Sequence, residues 1–402
     1  TWNGGSAPTL AGANSYSLSG QVFNLVTYNG GTNWYGYEEV NNTDKQPYEW
    51  FNWGYNSYGG LGQNQPDNNK YSSPVQVPGT WWKPIAWCGQ QYCFGGLKND
   101  GTLWLWGYNG QGALGQNSTT DYSSPVQVPG TTWSDAAMHS QNIALAAKTD
   151  GTLWAWGRQQ DSGGLAQNNT TTYSSPVQIP GTTWGTSSHK VACMTNTAAA
   201  IKTDGTLWSW GYNGEGALGQ NNRTTRSSPV QIPGTTWSTI VAYDRAFQAF
   251  KTDGTMWTWG FNQMGLLGIN QPHNTYRSSP TQVPGTTWSS GSVNGGDNHM
   301  KALKTDGTLW IWGWQTAGNF GNNDANQPAS SPVQIPGTNW ESVGGDRQGL
   351  AIKTDNTLWV WGDNENGQLG QNTTIDRSSP IQIPGTWNKI GGTLHKPVAL
   401  KT

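Results

Sequence analysis

Charge is what this chain has least of. Of its 402 residues only 11% are Asp, Glu, Lys or Arg, and the net charge is −2. So few charges build no field for nucleic acid or an anionic membrane. Long apolar runs are missing too, which excludes a transmembrane helix. Cysteine is scarce: Cys88, Cys93 and Cys193. The spacing allows a Cys88–Cys93 disulfide and equally allows none. No Cys/His spacing resembles a zinc site. No nucleophile–base constellation, phosphate loop or cofactor fingerprint is present. The expectation is therefore a non-enzymatic protein with no catalytic residue, no metal and no cofactor. No signal peptide is visible, and a first residue of Thr1 rather than Met fits a processed protein or part of a longer one.

Tryptophan and glycine are abundant instead, with 26 Trp and 55 Gly. The motif Trp-x-Trp-Gly, or a close variant, ends at Gly54, Gly107, Gly157, Gly211, Gly260, Gly313 and Gly362, at spacings of 49 to 54 residues. Strand-type units repeating at that interval mark a β-propeller, and seven units mean seven blades. In the unit from Trp133, residues 134–138 read as a first strand and Ile143 to Lys148 as a second. Asp150-Gly151 reads as a two-residue type I′ hairpin turn, and Thr152 to Trp156 as a third strand. Ser175-Pro-Val-Gln-Ile-Pro180 follows as the outer strand, where proline is tolerated.

Alternation puts Trp154 and Trp156 on one face of their blade. Thirteen Trp belong to such motifs, and seven more open the repeats (Trp82, Trp133, Trp184, Trp237, Trp288, Trp340, Trp387). Trp2, Trp34, Trp50, Trp81, Trp87 and Trp314 stand outside that framework. The framework lysine of each unit (Lys98, Lys148, Lys202, Lys251, Lys304, Lys353, Lys401) is preceded by a small residue: Gly96, Ala147, Ala200, Ala249, Ala302, Ala351 and Ala399. That residue makes room for an indole.

The stretch Ala-Ile-Lys-Thr-Asp-Gly-Thr-Leu-Trp-Ser-Trp-Gly-Tyr-Asn-Gly-Glu-Gly-Ala-Leu-Gly-Gln, residues 200–220, resembles the repeat of the regulator of chromosome condensation family. The resemblance recurs in every unit over about residues 48–402 and implies an all-β, seven-bladed propeller with four-stranded blades. The family's founding member is a nucleotide-exchange factor that also binds chromatin. No basic tail and no matching acidic or wedge insertion occurs here, and the photoreceptor motif Gly-Trp-Arg-His-Thr is absent, so the resemblance is to the fold.

Residues 399–402 stop where the repeat next demands Asp-Gly and a Trp motif. In one closure, residues 48–79 and 386–402 share the first blade, which leaves 1–40 as an N-terminal arm and 41–402 as the propeller. In the other, Thr1-Trp2-Asn3 matches Thr386-Trp387-Asn388, and the first blade is complete at the N-terminus. The shared blade is the expectation carried forward.

Function belongs where the blades differ. The connections between first and second strands carry Gln91 and Tyr92, His139 and Asn142, His189 and Lys190, Asp244 and Arg245, Asp297 and His299, Asp346 and Arg347, and His395. Propeller geometry gathers them on one face as a partner-binding surface or a hydrated rim. In the leader, Trp34, Tyr35 and Tyr37 form a candidate interface arm. Sequons at Asn41, Asn117, Asn168, Asn169, Asn222 and Asn372 read as turn composition. The Thr/Asn/Gln/Gly-rich loops point to an extracellular or virion-surface structural protein, such as a phage fibre, spike, decoration protein or adhesin. Its partners would be neighbouring subunits, another protein or a surface glycan, with neither nucleic acid nor membrane insertion. A soluble inhibitor module and a lectin are the alternatives. One packing consequence is testable: Ala302→Leu overpacks its blade and costs about 1–3 kcal/mol, visible as a lowered melting temperature.

Overall fold

A computed structural model describes residues 23–27, 34–38, 49–65, 69–79, 82–83, 93–139, 143–159, 163–243, 245–295, 299–323, 328–345, 347–393 and 396–401. The chain divides into two compact units, Thr1–Gln46 and Pro47–Thr402. In the smaller, Phe23–Thr27 pairs antiparallel with Trp34–Glu38. The larger is a ring of seven antiparallel sheets, and the expected propeller is the observed fold.

Blade 3 shows the design. Its strands Trp133–Met138, Ile143–Lys148, Leu153–Gly157 and Tyr173–Ile179 lie side by side in sequence order. Blades 4 to 7 repeat that order. Among the described residues blade 2 shows three strands from Cys93 to Gln127, and the bridge Trp82–Lys98 stands where Trp133 meets Lys148 in blade 3. Blade 1 draws Lys389–Thr393 and Lys396–Lys401 from one end of the propeller segment, and Glu49–Tyr55 and Lys70–Gln76 from the other. Val398 pairs with Asn52 and Leu400 with Trp50. The shared-blade closure is therefore correct, and a first blade complete at the N-terminus is set aside.

Alternation gives every blade two unlike faces. One face of blade 3 carries Trp133, Ala144, Ala146 and Trp156 against Leu103 and Leu105 of blade 2. The other carries Ile143, Leu145, Ala147, Leu153 and Ala155 against Trp184 and Trp210 of blade 4. The same pairing of an indole face with an aliphatic one joins blade 6 to blade 7, where Trp340 and Trp361 meet Leu303, Leu309 and Ile311. The small residue beside the lysine lies on the indole face: Ala200 with Trp184 and Trp210, Ala249 with Trp237 and Trp259, Ala302 with Trp288 and Trp312. In blade 3 the register sets Ala146, not Ala147, opposite Trp154.

Hydrogen bonds fix these interfaces. The second indole of each motif donates Nε1–H to a carbonyl in the preceding blade: Trp106 to Gly60, Trp156 to Ala113, Trp210 to Gly164, Trp259 to Ala217, Trp312 to Leu266 and Trp361 to Asn319, all at 2.7–3.0 Å. Trp53 closes the ring on Gln368 at 2.8 Å. The first indole of the motif is anchored within its own blade, where Trp154 donates to Thr152 Oγ1. Lysine ammoniums bridge pairs of rings; Lys148 lies 4.7 Å from the Trp133 centroid and 4.5 Å from that of Trp154. Each such contact contributes about 0.5–1 kcal/mol.

The Asp-Gly hairpin differs from its expected form. Gly151 N–H donates to Lys148 O, and Lys148 N–H to Thr152 O, so the loop has three residues. Gly151 takes φ +78° while Asp150 does not appear among the positive-φ residues. This is a type I turn followed by a left-handed glycine, not a type I′ turn. Asp150 Oδ1 accepts from the hydroxyl and N–H of Thr152, which holds that carboxyl below its ordinary value.

Trp50 belongs to the framework after all. It stands where other blades place Leu103, Leu153 or Leu358, and it packs on Trp82 and Trp106 at 5.1 and 5.4 Å. Gly96 complements it, because a Cβ there lies 2.4 Å from Trp50 Cζ3 and 3.0 Å from Trp82 Cε3. Gly96→Ala therefore destabilises by about 1–3 kcal/mol. Adding Trp50→Leu recovers part of that loss, since alanine against leucine is the arrangement of the other blades. Urea unfolding of both single variants and the double variant gives the coupling, and strict additivity would refute the pairing.

Candidate functional site

The ring has two rims. Strand 2 runs toward the 2–3 hairpins, so one rim is a hairpin end. The other carries the 1–2 connections and the residues that follow each Trp-x-Trp-Gly; this is the connection end. First strands of neighbouring blades pack on one another and surround the axis.

The expected site residues separate on inspection. His139 follows the first strand of blade 3 at the connection end; its Nε2 lies 3.5 Å from Thr195 Oγ1 of blade 4. Burial pushes its pKa down to about 4. His299 is also buried, with Nδ1 3.3 Å from Asn319 Nδ2. Arg245 lies at the same end, where its carbonyl accepts from Phe261 N–H and its guanidinium bonds Glu215 Oε1 at 2.9 Å. Arg347 is half-buried there and opposes the upward shift that burial and Asp376 impose on Asp363. Gln91, Tyr92, Asn142, Asp244, Asp297, Asp346 and His395 lie outside the described residues, as does Cys88. Trp34, Tyr35 and Tyr37 occupy one strand of the smaller unit, opposite Thr27, Val26 and Asn24. Among the described residues, no three of His, Cys, Asp and Glu come together as metal ligands.

His189 and Lys190 do not sit in a connection. Blade 4 pairs Met194 with Thr197, so Thr195 and Asn196 make its turn. Trp184 still bridges Lys202, but 18 residues separate that pair against 15 for Trp133 and Lys148 in blade 3. The extra residues bulge from the inner strand at 186–190, toward the hairpin end. His189 takes φ +59°, and burial, aided by the Lys190 charge, lowers its pKa to about 4. A polar cleft of about 500 Å³ opens beside the bulge, lined by Thr186, Ser187, Lys190, Thr235 and Ser238 among others. Lys190 Nζ donates to Ser238 O of blade 5.

Two residues tie the blades together where sequence reasoning named none. Asp135 Oδ2 accepts from the N–H groups of Lys190 at 2.8 Å and Val191 at 3.2 Å, across the blade 3–4 boundary. Burial raises its pKa to about 7 against the pull of those bonds. Lys301 is wholly buried, and its ammonium donates to Gly345 O at 2.9 Å and Gln348 O at 3.0 Å in blade 7. The available signal was a charge at a position that other blades fill with Leu145 or Leu350, or with the hydroxyls of Thr239 and Ser342.

Aromatic rings give the connection end its character. The residues after the Trp motifs include Tyr108, Tyr212, Phe261 and Trp314. The most exposed aromatics among the described residues are Tyr212 at 47%, Tyr58 at 46%, Tyr276 at 39% and Trp314 at 38%, and all four lie at this end. Tyr58 packs on Tyr108 at 5.1 Å, and Tyr276 on Phe261 at 4.9 Å. The sequons of the intervening loops serve the framework: Asn168 Oδ1 accepts from Ser227 of the next blade, and Asn117 and Asn372 hold left-handed backbone. Asn41 lies outside the described residues.

Residues 49–396 match the family described as the RCC1-like domain. Ultraviolet-B receptor UVR8 of Arabidopsis thaliana is 27% identical over 306 residues, which span 70% of this chain and 64% of the receptor. The probable E3 ubiquitin-protein ligase HERC4 of Mus musculus is 28% identical over 47% of this chain, and the match spans only 18% of the ligase. Among solved structures, yeast RCC1 (Prp20), bound to Kap60, superposes with a TM-score of 0.74 at 19% identity, covering 88% of this chain and 89% of that one. Human WBSCR16 superposes equally well at 17% identity, covering 88% and 99%. A structure of Prp20p from Saccharomyces cerevisiae is described with its binding properties to Gsp1p and histones.

These likenesses overturn the expected virion-surface or extracellular structural role. That expectation rested on loop composition alone, which polar turns in any repeat protein produce. The relatives matched by sequence are an ultraviolet-B receptor and a probable E3 ubiquitin-protein ligase, neither of them a virion or extracellular structural protein. The expected location falls with the role.

Asp135 makes the site's stability depend on pH. Its folded pKa is raised above the ordinary carboxyl value near 4, so its contribution is fully present below that value and is lost as pH rises through about 7. His139 and His189 act oppositely below their ordinary value, but equally in wild type and Asp135→Asn. The wild-type stability minus that of Asp135→Asn should therefore fall between about pH 4 and pH 7 in urea titrations. A flat difference would mean the carboxyl is not buried as described.

Proposed function

The chain belongs to the RCC1-like domain family, and from that premise we propose that it is a protein-binding propeller that acts through its connection end and catalyses no reaction of its own. The observation that carries this reading is the gathering of Tyr58, Tyr212, Tyr276 and Trp314 at one rim. Tyrosine, tryptophan and arginine dominate the energetics of protein interfaces because they bury large areas with little loss of conformational freedom. A solvated rim has no use for them.

The family lends support. Yeast RCC1 (Prp20) has been solved bound to Kap60 and described as binding Gsp1p and histones, all of them proteins. The activities of UVR8 and HERC4 as whole proteins are not carried over, since the match spans 64% and 18% of their lengths. Binding rather than catalysis is also supported by the histidines. His139 and His299 are buried rather than presented to a substrate.

The test is partner capture from the source extract, with the recovered protein identified and then measured pure. Combined Tyr212→Ser, Tyr276→Ser and Trp314→Ser should weaken its binding at least about tenfold, as loss of interface anchors does. Thr235→Ala with Thr252→Ala at the hairpin end should leave it unchanged. Equal effects at the two ends would refute the assignment of the connection end.

A further inference from the structure

Arginine is distributed unlike lysine. Framework lysines occur once per unit, and those of blades 2 to 7 lie under indoles. The arginines are Arg158, Arg223, Arg226, Arg245, Arg277, Arg347 and Arg377, and four of these seven come from blades 4 and 5. All four reach the connection end. Arg226 starts the outer strand of blade 4 opposite Gly211, and Arg277 pairs with Gly260 in blade 5.

Two of them sandwich an aromatic pair. The rings of Phe261 and Tyr276 are stacked, with centroids 4.9 Å apart and planes 26° from parallel. The Arg223 guanidinium, from the blade 4 loop, lies 4.1 Å from the Tyr276 centroid. The Arg245 guanidinium lies 5.7 Å from that of Phe261 and bonds Glu215 at 2.9 Å. Arg277 donates to Gln271 Oε1 at 2.8 Å and to Tyr276 O at 3.3 Å. Stacking holds guanidinium planes in place, so they meet a ligand with less entropy to lose.

We infer that this layered platform binds an acidic segment of a protein partner, with carboxylates on Arg223 and Arg226 and a flat or apolar side chain against Tyr276. The inference rests on the reading of the connection end as a protein-binding surface and names the chemistry it recognises. The guanidinium fork matches a carboxylate, and Glu215 on Arg245 already displays that contact within the chain. The four arginines outnumber the neighbouring carboxylates of the same segments, Glu215 and Asp244, in a protein whose net charge is −2. A nucleic acid fits less well, because it requires a continued track of phosphate contacts. The patch stops at blade 6, where Ala329 pairs with Gly313 at the position that Arg226 and Arg277 hold in blades 4 and 5.

The experiment uses the full chain and a short fluorescein-labelled peptide rich in Glu and Tyr, read by fluorescence anisotropy. Wild type should bind it, and binding should weaken as salt shortens the screening length. Arg223→Glu with Arg226→Glu should weaken binding at least about tenfold, while Arg377→Glu in blade 7 leaves it unchanged. Arg223→Lys, which keeps the charge and loses the plane, should fall between. Melting temperatures of all variants report that the fold is intact. The inference is overturned if wild type ignores the peptide, if the charge reversals do not matter, or if an oligothymidine displaces the peptide at lower concentration than unlabelled peptide does. Should the captured partner depend on Tyr212 and Trp314 but not on the arginines, the proposed function stands and this inference alone fails.

Discussion

Every boundary in the ring depends on one contact: an indole N–H of one blade donating to a loop carbonyl of the blade before it. The contact occurs seven times, from Trp106 on Gly60 to Trp53 on Gln368. A single hydrogen bond of this kind adds only about 1 kcal/mol net. Its larger effect is to fix the depth at which each indole enters the neighbouring aliphatic face, and so the angle between blades. The glycines of the same loops follow from that depth. Gly115 and Gly268 lie against Trp156 and Trp312, and a Cβ at Gly268 stands 2.6 Å from the indole nitrogen. The loop approaches the ring so closely that only hydrogen fits.

The fold was legible because this contact is written locally. Two tryptophans two residues apart, with a glycine behind them, report a strand, its face and its end together, and the interval between copies counts the blades. What escaped notice was either a change of register or a partner far away in sequence. His189 and Lys190 looked like a connection because the extra residues of blade 4 are indistinguishable, as letters, from a longer turn. Only the pairing of Met194 with Thr197 shows where the turn lies. Trp50 seemed surplus because its complement, Gly96, is in another blade. Asp135 and Lys301 went unnamed, since the backbone groups that enclose them come from neighbouring blades. The hairpin type turned on whether Asp150 shares the left-handed backbone of Gly151, which composition does not report.

The candidate site was legible only in outline. Reading the variable connections pointed to the same rim through His139, Arg245 and His299, but favoured polar side chains. Two of those three turned out to be buried. The exposed groups are aromatic: Trp314 already stood outside the framework, whereas Tyr212 directly follows the most regular motif in the chain, where repetition disguised it as framework. Tyr212 and Trp314 sit two residues beyond the core indoles Trp210 and Trp312, just past the motif glycine, and that short step carries them from the interior to the rim. The same repeat thus supplies constancy inside and variation at its edge, which lets binding chemistry change without disturbing the packing beneath it.

The shared blade separates the order of the gene from the order of the ring. Blade 7 meets blade 1 through the same contact that joins blades linked by peptide, although Trp53 and Gln368 are 315 residues apart. The ring therefore has no first blade in any energetic sense. A circularly permuted gene opening at another hairpin would specify the same seven interfaces and the same rim.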